Sequence, residues 1–173
     1  AGATWCGGTL TGLKSKLGYL KRLGITAVWI SPVLKQVPNE STYHGYATQN
    51  FLEVDPHFGT AEDLRATVDE AHAHGIRVIL DVVFNHAGNV FGYVDGGDWT
   101  GRPFDVHGFR DATGAPTLPF ETVNEAAYPD GAVWPAELQE PGVFTCKGRI
   151  VNWEAYPEYN DGDFYDLKDI RLG

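Results

Sequence analysis

Residues 76–86, IRVILDVVFNH, decide the fold of this chain. Seven of the nine positions from 76 to 84 are apolar and do not alternate with polar residues: Ile76, Val78, Ile79, Leu80, Val82, Val83 and Phe84. An unbroken apolar run of this kind is typical of a strand that is covered on both faces, as in a parallel sheet. The segment therefore predicts a buried strand in an α/β fold.

Polar side chains interrupt and follow this strand. A buried carboxylate costs several kcal/mol unless it is paired or hydrogen-bonded, so Asp81 should meet a donor or lie where the strand opens into a cavity. Asn85 and His86 follow at the carboxyl end of the strand, which is where ligands bind in parallel α/β folds. We therefore expect a binding site at this end. The structural alternatives are that Asp81 is a paired acid holding loops and that His86 is a hydrogen-bonded loop histidine.

Two helix-and-strand units make up the chain as far as His86. Leucines spaced by three and four residues predict a helix over residues 10–23, and residues 25–33 (ITAVWISPV) predict the strand that follows it. A second helix is predicted to begin at Thr60, where Asp63 three residues later makes an acidic variant of the capping box. Helix, strand, helix and strand in this order indicate two turns of an α/β winding.

The remaining segments show neither the apolar spacing of a helix nor that of a strand. Residues 36–59 predict a long ordered loop that contains YHGY at positions 43–46. Residues 91–161 are rich in Gly, Pro, Trp and Tyr, which indicates a small irregular β-rich subdomain inserted after the central strand, with short strands at 142–146 and 149–153.

Composition argues against several classes of partner. The formal net charge of -10, without any basic run, argues against a polyanionic partner such as nucleic acid. No apolar run approaches the roughly 18 to 20 residues of a membrane span, and residues 1–20 lack the order of a signal peptide, so no membrane partner is expected. The compartment stays open, with the outside of the cell favoured. Cys6 and Cys146 are equally compatible with a disulfide and with two free thiols.

The positions of the histidines and serines argue against two other kinds of hydrolase. His72 and His74, two residues apart on a helix, point to different faces, so a zinc triad is not expected. No serine lies in a GxSxG context, which argues against a serine nucleophile. Four tryptophans could be platforms for sugar rings, but the insert has no continuous helix or sheet to bury, so most of them are expected to form its small core: Trp5, Trp99, Trp134 and Trp153. Solvated surface charges are expected at Asp95, Asp98, Asp105 and Asp111.

Four blocks in order carry a family resemblance: LKSKLGYLKRLGITAVWISPV, YHGYATQNFLEVDPHFGTAEDL, GIRVILDVVFNH and GDFYDLKDI. The chain resembles part of the alpha-amylase family of retaining glycoside hydrolases, and the third block matches that family's first signature. The resemblance implies part of a (β/α)8 TIM barrel, with strands two and three and their helices, and an irregular β-rich subdomain inserted after the third strand. It divides the chain into a partial barrel (1–86), an inserted subdomain (87–162) and a return toward the barrel (163–173).

The resemblance also implies roles for site residues. Tyr46 would stack on a sugar ring next to the scissile bond, His86 would hydrogen-bond the hydroxyls of that sugar, and His44 would line the same site. Asp81 would be a buried structural partner beneath the site. A calcium ion would be bound by Asn85 and Asp166. Calcium requires six to eight oxygen ligands, so carbonyls, waters or other acids would have to supply the rest.

Two departures from the family pattern qualify these expectations. Ala47 and Asn50 stand where the family often has an aromatic residue and an acid, which puts the preferred linkage in doubt. Retaining catalysis uses two carboxylates ~5 to 5.5 Å apart, and the family's catalytic acids would fall beyond Gly173. We therefore expect a fragment of an alpha-glucan-active enzyme that hydrolyses or transfers alpha-glucosidic bonds, without turnover on its own. The alternative is a non-catalytic sugar-binding or partner-binding protein with the same barrel.

Two strands cannot close a barrel. Faces that would meet neighbouring strands should therefore be exposed, and the isolated chain is expected to associate or to be partly molten.

Overall fold

A computed structural model describes residues 4–172 as a mixed α/β chain with short strands. The helices are α1 (Leu10–Lys14), α2 (Leu17–Arg22), α3 (Ala61–Ala73) and α4 (Glu158–Asp161), with a 3-10 helix at Ala136–Gln139. The strands are β1 (Ala27–Ile30), β2 (Leu34–Gln36), β3 (Thr48–Val54), β4 (Arg77–Leu80), β5 (His86–Ala87), β6 (Phe91–Tyr93), β7 (Val106–Phe109) and β8 (Lys168–Asp169).

The two predicted parallel strands pair as expected. β1 and β4 lie side by side in parallel, with Ala27 opposite Arg77 and Ile30 opposite Leu80. Helix α3 begins at the predicted cap: the Thr60 hydroxyl accepts from the Asp63 N–H, and the Asp63 carboxylate accepts from the Thr60 N–H. These features confirm the α/β winding of the first half of the chain.

The predicted burial of the central strand is wrong for the chain as it stands. Helices α2 and α3 cover one face of the β1–β4 pair, where Val28 and Val78 pack against buried Leu17. The other face is open, and Trp29 and Ile79 are 73% and 51% exposed. Within residues 4–172 no further strand or helix covers this face, so the central strand is buried on one face only. The exposure itself agrees with the expectation for an unclosed barrel.

The predicted helix over residues 10–23 is interrupted. Turn residues at positions 15 and 16 separate α1 from α2. The Ser15 hydroxyl donates to the Gly12 carbonyl at 2.7 Å, and residues of this kind are weak helix formers that compete for backbone hydrogen bonds. The leucine spacing therefore identified the helical segment but not its break.

The predicted loop at 36–59 instead contains strand β3, which forms an antiparallel pair with β2 just before it. β2 pairs with β3, and Gln36 supports the connection by donating to the Gly45 carbonyl and accepting from the Ala47 N–H. Gln49 on β3 is buried and donates to the Gly131 carbonyl at 2.7 Å. Because buried polar side chains of this kind interrupt the alternation of apolar and polar residues, the alternation did not predict this strand.

Residues 87–162 contain only short elements joined by irregular chain, and they pack on the β2–β3 pair. The antiparallel pair β6–β7 supplies Phe91 and Phe109 to a core that also contains Val37 and Ala47. The segments at 142–146 and 149–153 form only isolated bridges, one through Phe144 and two through Arg149, and are not strands.

The tryptophan prediction holds only for one residue. Trp134 is fully buried, whereas Trp5 stacks on His57, Trp99 is half-buried and Trp153 is exposed. Both cysteines are free, with Cys6 exposed and Cys146 buried.

Candidate functional site

Tyr46 is placed by a tight turn. Gly45 has φ +83°, and a Cβ there would collide with the main-chain oxygen of Pro32, so the turn requires glycine. The Tyr46 N–H donates to Nδ1 of His44 at 3.0 Å, and the two rings stack with centroids 6.0 Å apart. The Tyr46 hydroxyl donates to the Asp81 carboxylate at 3.0 Å, and this hydrogen bond raises the pKa of Tyr46. Tyr46 is thereby a neutral ring in a fixed orientation.

His86 is joined to the same turn. Its Nε2 lies 3.1 Å from the Tyr46 carbonyl oxygen. Because a carbonyl only accepts, Nε2 carries the proton of this hydrogen bond and Nδ1 of the neutral ring is left as an acceptor. Burial lowers the pKa of His86, which favours the neutral form. The ring stacks on Phe164 with centroids 6.2 Å apart.

These residues surround one cavity, which we call the cleft. It has a volume of about 550 Å³. Its walls come from two segments of the chain, residues 40–46 and 164–167, together with His86: Glu40, His44, Tyr46, His86, Phe164, Tyr165, Asp166 and Leu167. Asp81 is half-buried beside it, under the Tyr46 hydroxyl. The structure therefore brings together five of the six residues named from the sequence, namely His44, Tyr46, Asp81, His86 and Asp166.

The cleft suits an uncharged ligand with hydroxyl groups. Among its described lining residues none is Lys or Arg, so it offers no cation to an anionic ligand. Aromatic faces from Tyr46 and Phe164 alternate with hydrogen-bonding groups of His86 and Asp166. Pockets of this composition, mostly apolar with a few placed polar groups, are typical of small-molecule sites.

Four lining residues were missed by reasoning from the sequence. Glu40 lies in the segment that was predicted to be a loop, Phe164 and Tyr165 precede Asp166 in residues 163–173, and Leu167 follows it. Tyr165 has φ +58°, an uncommon conformation for a non-glycine residue and one that is concentrated at functional sites. The aromatic pair in GDFYDLKDI was the only available signal for these two residues.

A buried ion pair fixes the return segment against the insert. Lys168 lies 3.1 Å from the Asp163 carboxylate, and both side chains are almost fully buried. The Tyr93 hydroxyl donates to Asp163 at 2.8 Å, and the Asp169 N–H donates to its other oxygen at 3.1 Å. Burial, followed by the charge of Asp163, raises the pKa of Tyr93, so its hydroxyl remains a donor. The network holds residues 164–167 in position as a wall of the cleft.

The structure also tests how well the implied calcium ligands fit. Asn85 and Asp166 both have exposed side chains, and the Asn85 carbonyl is occupied by the N–H of Ile170 at 2.9 Å. Among residues 4–172, no group of three or more His, Cys, Asp or Glu side chains is arranged to hold a metal ion. Two side-chain oxygens fall well short of the six to eight that calcium takes. The named pair does not therefore make a calcium site by itself.

A comparison with protein families decides the assignment. The model of the alpha amylase catalytic domain matches residues 1–101. The chain belongs to the alpha-amylase family. This match covers the chain from its start through β6.

Individual relatives of the alpha-amylase family extend the match over nearly the whole chain. An alpha-amylase of Streptomyces lividans is 32% identical over 192 aligned positions, which cover 95% of this chain and 20% of that protein. The crystal structure of an alpha-amylase from Geobacillus thermoleovorans, complexed with acarbose, matches with a TM-score of 0.63 and 30% identity. It covers 97% of this chain and 28% of the other.

A cyclomaltodextrin glucanotransferase, CldA, matches with a TM-score of 0.64 and 32% identity, over 95% of this chain and 30% of its own. The chain thus spans between a fifth and a third of these relatives. Catalytic domains of these neighbours imply that it forms part of a TIM-barrel fold.

Proposed function

We propose that this chain forms the sugar-binding floor of an alpha-glucan-active retaining glycoside hydrolase. Tyr46 stacks on a glucose ring, and His86 and His44 hydrogen-bond its hydroxyls. Asp81 orients Tyr46 from below. The observation that carries the proposal is the joint placement of Tyr46 and His86: Nε2 of His86 lies 3.1 Å from the Tyr46 carbonyl oxygen, and both side chains line one cleft whose described lining has no Lys or Arg.

The proposal places the chain within the barrel as the resemblance implies. β1 and β4 would be the second and third barrel strands, residues 87–162 the inserted subdomain and residues 163–173 the return. The open face of the β1–β4 pair, with its exposed Trp29, supports this placement because a closed barrel would cover it.

The reaction itself requires groups that the cleft does not contain. In the retaining scheme one carboxylate attacks the anomeric carbon, and the other protonates the leaving oxygen and then activates water or an acceptor sugar. Three carboxylates lie at the cleft: Asp81 accepts from Tyr46, Glu40 accepts from Asn89, and Asp166 is exposed on the return segment, where the resemblance assigns it to calcium instead of to the reaction. We propose that the reactive acids come from polypeptide outside these 173 residues. Hydrolysis and transfer to a second sugar are both compatible with this floor.

The predictions about calcium and location stay predictions. Calcium binding at Asn85 and Asp166 would require further oxygen ligands, and no step of the proposal passes through a metal. Calorimetric titration of the chain with calcium, before and after Asn85→Ala, tests it directly. No helix within residues 4–172 has the length and apolar character needed to cross a membrane.

The test of the proposed function is binding of maltohexaose to the monomeric fraction of the chain, measured by calorimetry. Tyr46→Ala should weaken binding about tenfold or more, which corresponds to the loss of one stacked ring. Tyr156→Ala is the matched control, because Tyr156 is more exposed than Tyr46 and does not line the cleft. Equal affinities of the two variants would overturn the proposal. A reducing-sugar assay on starch should show no turnover by the 173 residues alone, and hydrolysis at enzymatic rates would contradict the placement of the reactive acids.

A further inference from the structure

A second and larger cavity, which we call the insert cavity, adjoins the cleft. It has a volume of about 780 Å³ and lies between β6, the loop around Trp99 and the return segment. Tyr165 and Asp166 line both cavities, so the two are separated by a single turn of chain. The two cavities therefore share a wall formed by Tyr165 and Asp166.

The charges that line the insert cavity are balanced. Three carboxylates face three cations: Asp98, Asp163 and Asp166 against Arg110, Arg149 and Lys168. Arg149 is 2.7 Å from Asp98, and Lys168 is paired with Asp163. With equal numbers of acids and cations, two of each already paired, the lining has no formal net charge to attract an ionic ligand, whereas a neutral ligand with many hydroxyls can bind beside the pairs without displacing a partner.

Its walls combine aromatic surface with hydrogen-bonding groups. Trp99 is half-buried in the wall, and Lys147 covers one face of its ring at 5.6 Å from the centroid. Phe104 and Tyr165 add further aromatic surface, and Asn89 adds a side-chain amide. A sugar presents the same combination, because its ring has apolar C–H faces and a rim of hydroxyls.

The insert cavity is held in shape before any ligand arrives. The main-chain N–H of Trp99 donates to the main-chain carbonyl of Arg149 at 2.9 Å, which holds the loop around Trp99 against the segment that contains Arg149. Gly148 approaches so closely that a Cβ there would lie 2.7 Å from the Phe104 ring and 2.9 Å from the Asp98 carbonyl oxygen. A preformed site loses less ordering entropy on binding than one that must close around its ligand.

We propose that the insert cavity binds a further stretch of the same neutral glucan, as a chain or branch that crosses the wall formed by Tyr165 and Asp166. This inference rests on the proposed function for the cleft and extends it to a second, adjoining site. Short oligosaccharides would occupy the cleft alone. Longer ones would contact both cavities, with Trp99 as the main aromatic contact in the second.

The test compares maltose with maltoheptaose by calorimetry, on the monomeric fraction of the chain and its variants. Trp99→Ala should weaken maltoheptaose binding about tenfold and leave maltose within about twofold, whereas Tyr46→Ala should weaken both. Trp5→Ala is the matched control, because Trp5 stacks on His57 and lines neither cavity. Trp99→Phe, which keeps an aromatic ring in the wall, replaces Trp99→Ala if the latter does not fold, and should weaken maltoheptaose binding about threefold.

The outcomes separate the two proposals. Binding of maltoheptaose by Trp99→Ala as tightly as by Trp5→Ala refutes the insert cavity, while the loss in Tyr46→Ala still supports the cleft. An effect of Trp99→Ala without one of Tyr46→Ala refutes the cleft, and with it a glucan that crosses from the cleft into the insert cavity. Equal losses for maltose and maltoheptaose in Trp99→Ala contradict a ligand that spans both. No binding of either sugar by the wild-type chain refutes both proposals.

Discussion

The buried pair between Lys168 and Asp163 gives the sharpest prediction about how the cleft wall is held. Lys168→Met keeps the length and apolar stem of the side chain and removes its charge. Breaking a buried pair from one side typically costs about 3–5 kcal/mol, because an uncompensated charge remains. Asp163 keeps its hydrogen bonds from Tyr93 and from the Asp169 N–H, so we expect a loss of about 2–3 kcal/mol in the free energy of unfolding.

The loss can be measured by urea unfolding and by thermal denaturation. For a chain of this length, about 1 kcal/mol shifts Tm by roughly 2–4 °C, so Lys168→Met should lower Tm by about 4–12 °C. Lys35→Met is the matched control, since Lys35 pairs with Glu53 and Asp130, which are both about half exposed. Pairs with exposed partners contribute about 0–1 kcal/mol.

Two further results would decide the reasoning. The double variant Lys168→Met with Asp163→Asn should recover part of the stability, because it also removes the orphaned carboxylate. Maltohexaose binding should weaken in Lys168→Met, because residues 164–167 lose their anchor. A Tm change no larger than that of Lys35→Met, with unchanged sugar binding, would show that this network does not hold the wall.

Three other predictions concern pH, thiols and the open sheet face. Burial, followed by repulsion from nearby acids, raises the pKa of Asp169 from 3.8 to about 7, so its ionisation opposes folding increasingly as the pH rises from about 4 to 7. A pKa shift of this size corresponds to about 4 kcal/mol of unfolding free energy, which solvent screening reduces. Asp169→Asn should therefore stabilise the chain by about 1–2 kcal/mol at pH 8 and not at pH 3.5, as measured by urea unfolding. Equal effects at both pH values would contradict this prediction. Cys6 is exposed, whereas burial raises the pKa of Cys146 to about 11. Ellman's reagent should therefore react with one thiol in the native chain and with two in denaturant. Rapid reaction of two thiols in the native chain would contradict the fold around Cys146. The chain should self-associate through its open face, and Trp29→Lys should shift light-scattering mass toward the monomer; a wild-type chain that is already a monodisperse monomer with a sharp unfolding transition would refute this.

Local patterns predicted the first half of the fold because its determinants are local. The capping residues Thr60 and Asp63 are three positions apart, and the apolar runs of β1 and β4 need only their own sequence to be recognised as strands. The family signature then directed attention to the carboxyl end of β4. Tyr46 and His86 were predicted at one site, and the structure links them directly.

The remainder could not be predicted because it depends on contacts between distant segments. β3 carries buried Gln49, whose amide NH2 donates to the carbonyl of Gly131, so its sequence looks like a polar loop until that partner is known. Phe164 joins the cleft only because β8 pairs with β5, which places Asp169 opposite His86. Neither relation leaves a periodic signal in the sequence.

The central claim is that the turn carrying Tyr46 and the imidazole of His86 form a glucan-binding floor. A crystal structure of the chain with maltohexaose tests it most directly. We predict a glucose ring stacked on Tyr46, with a sugar hydroxyl within hydrogen-bonding distance of His86. Maltohexaose bound elsewhere on the chain, with no sugar in contact with Tyr46 or His86, would contradict the claim.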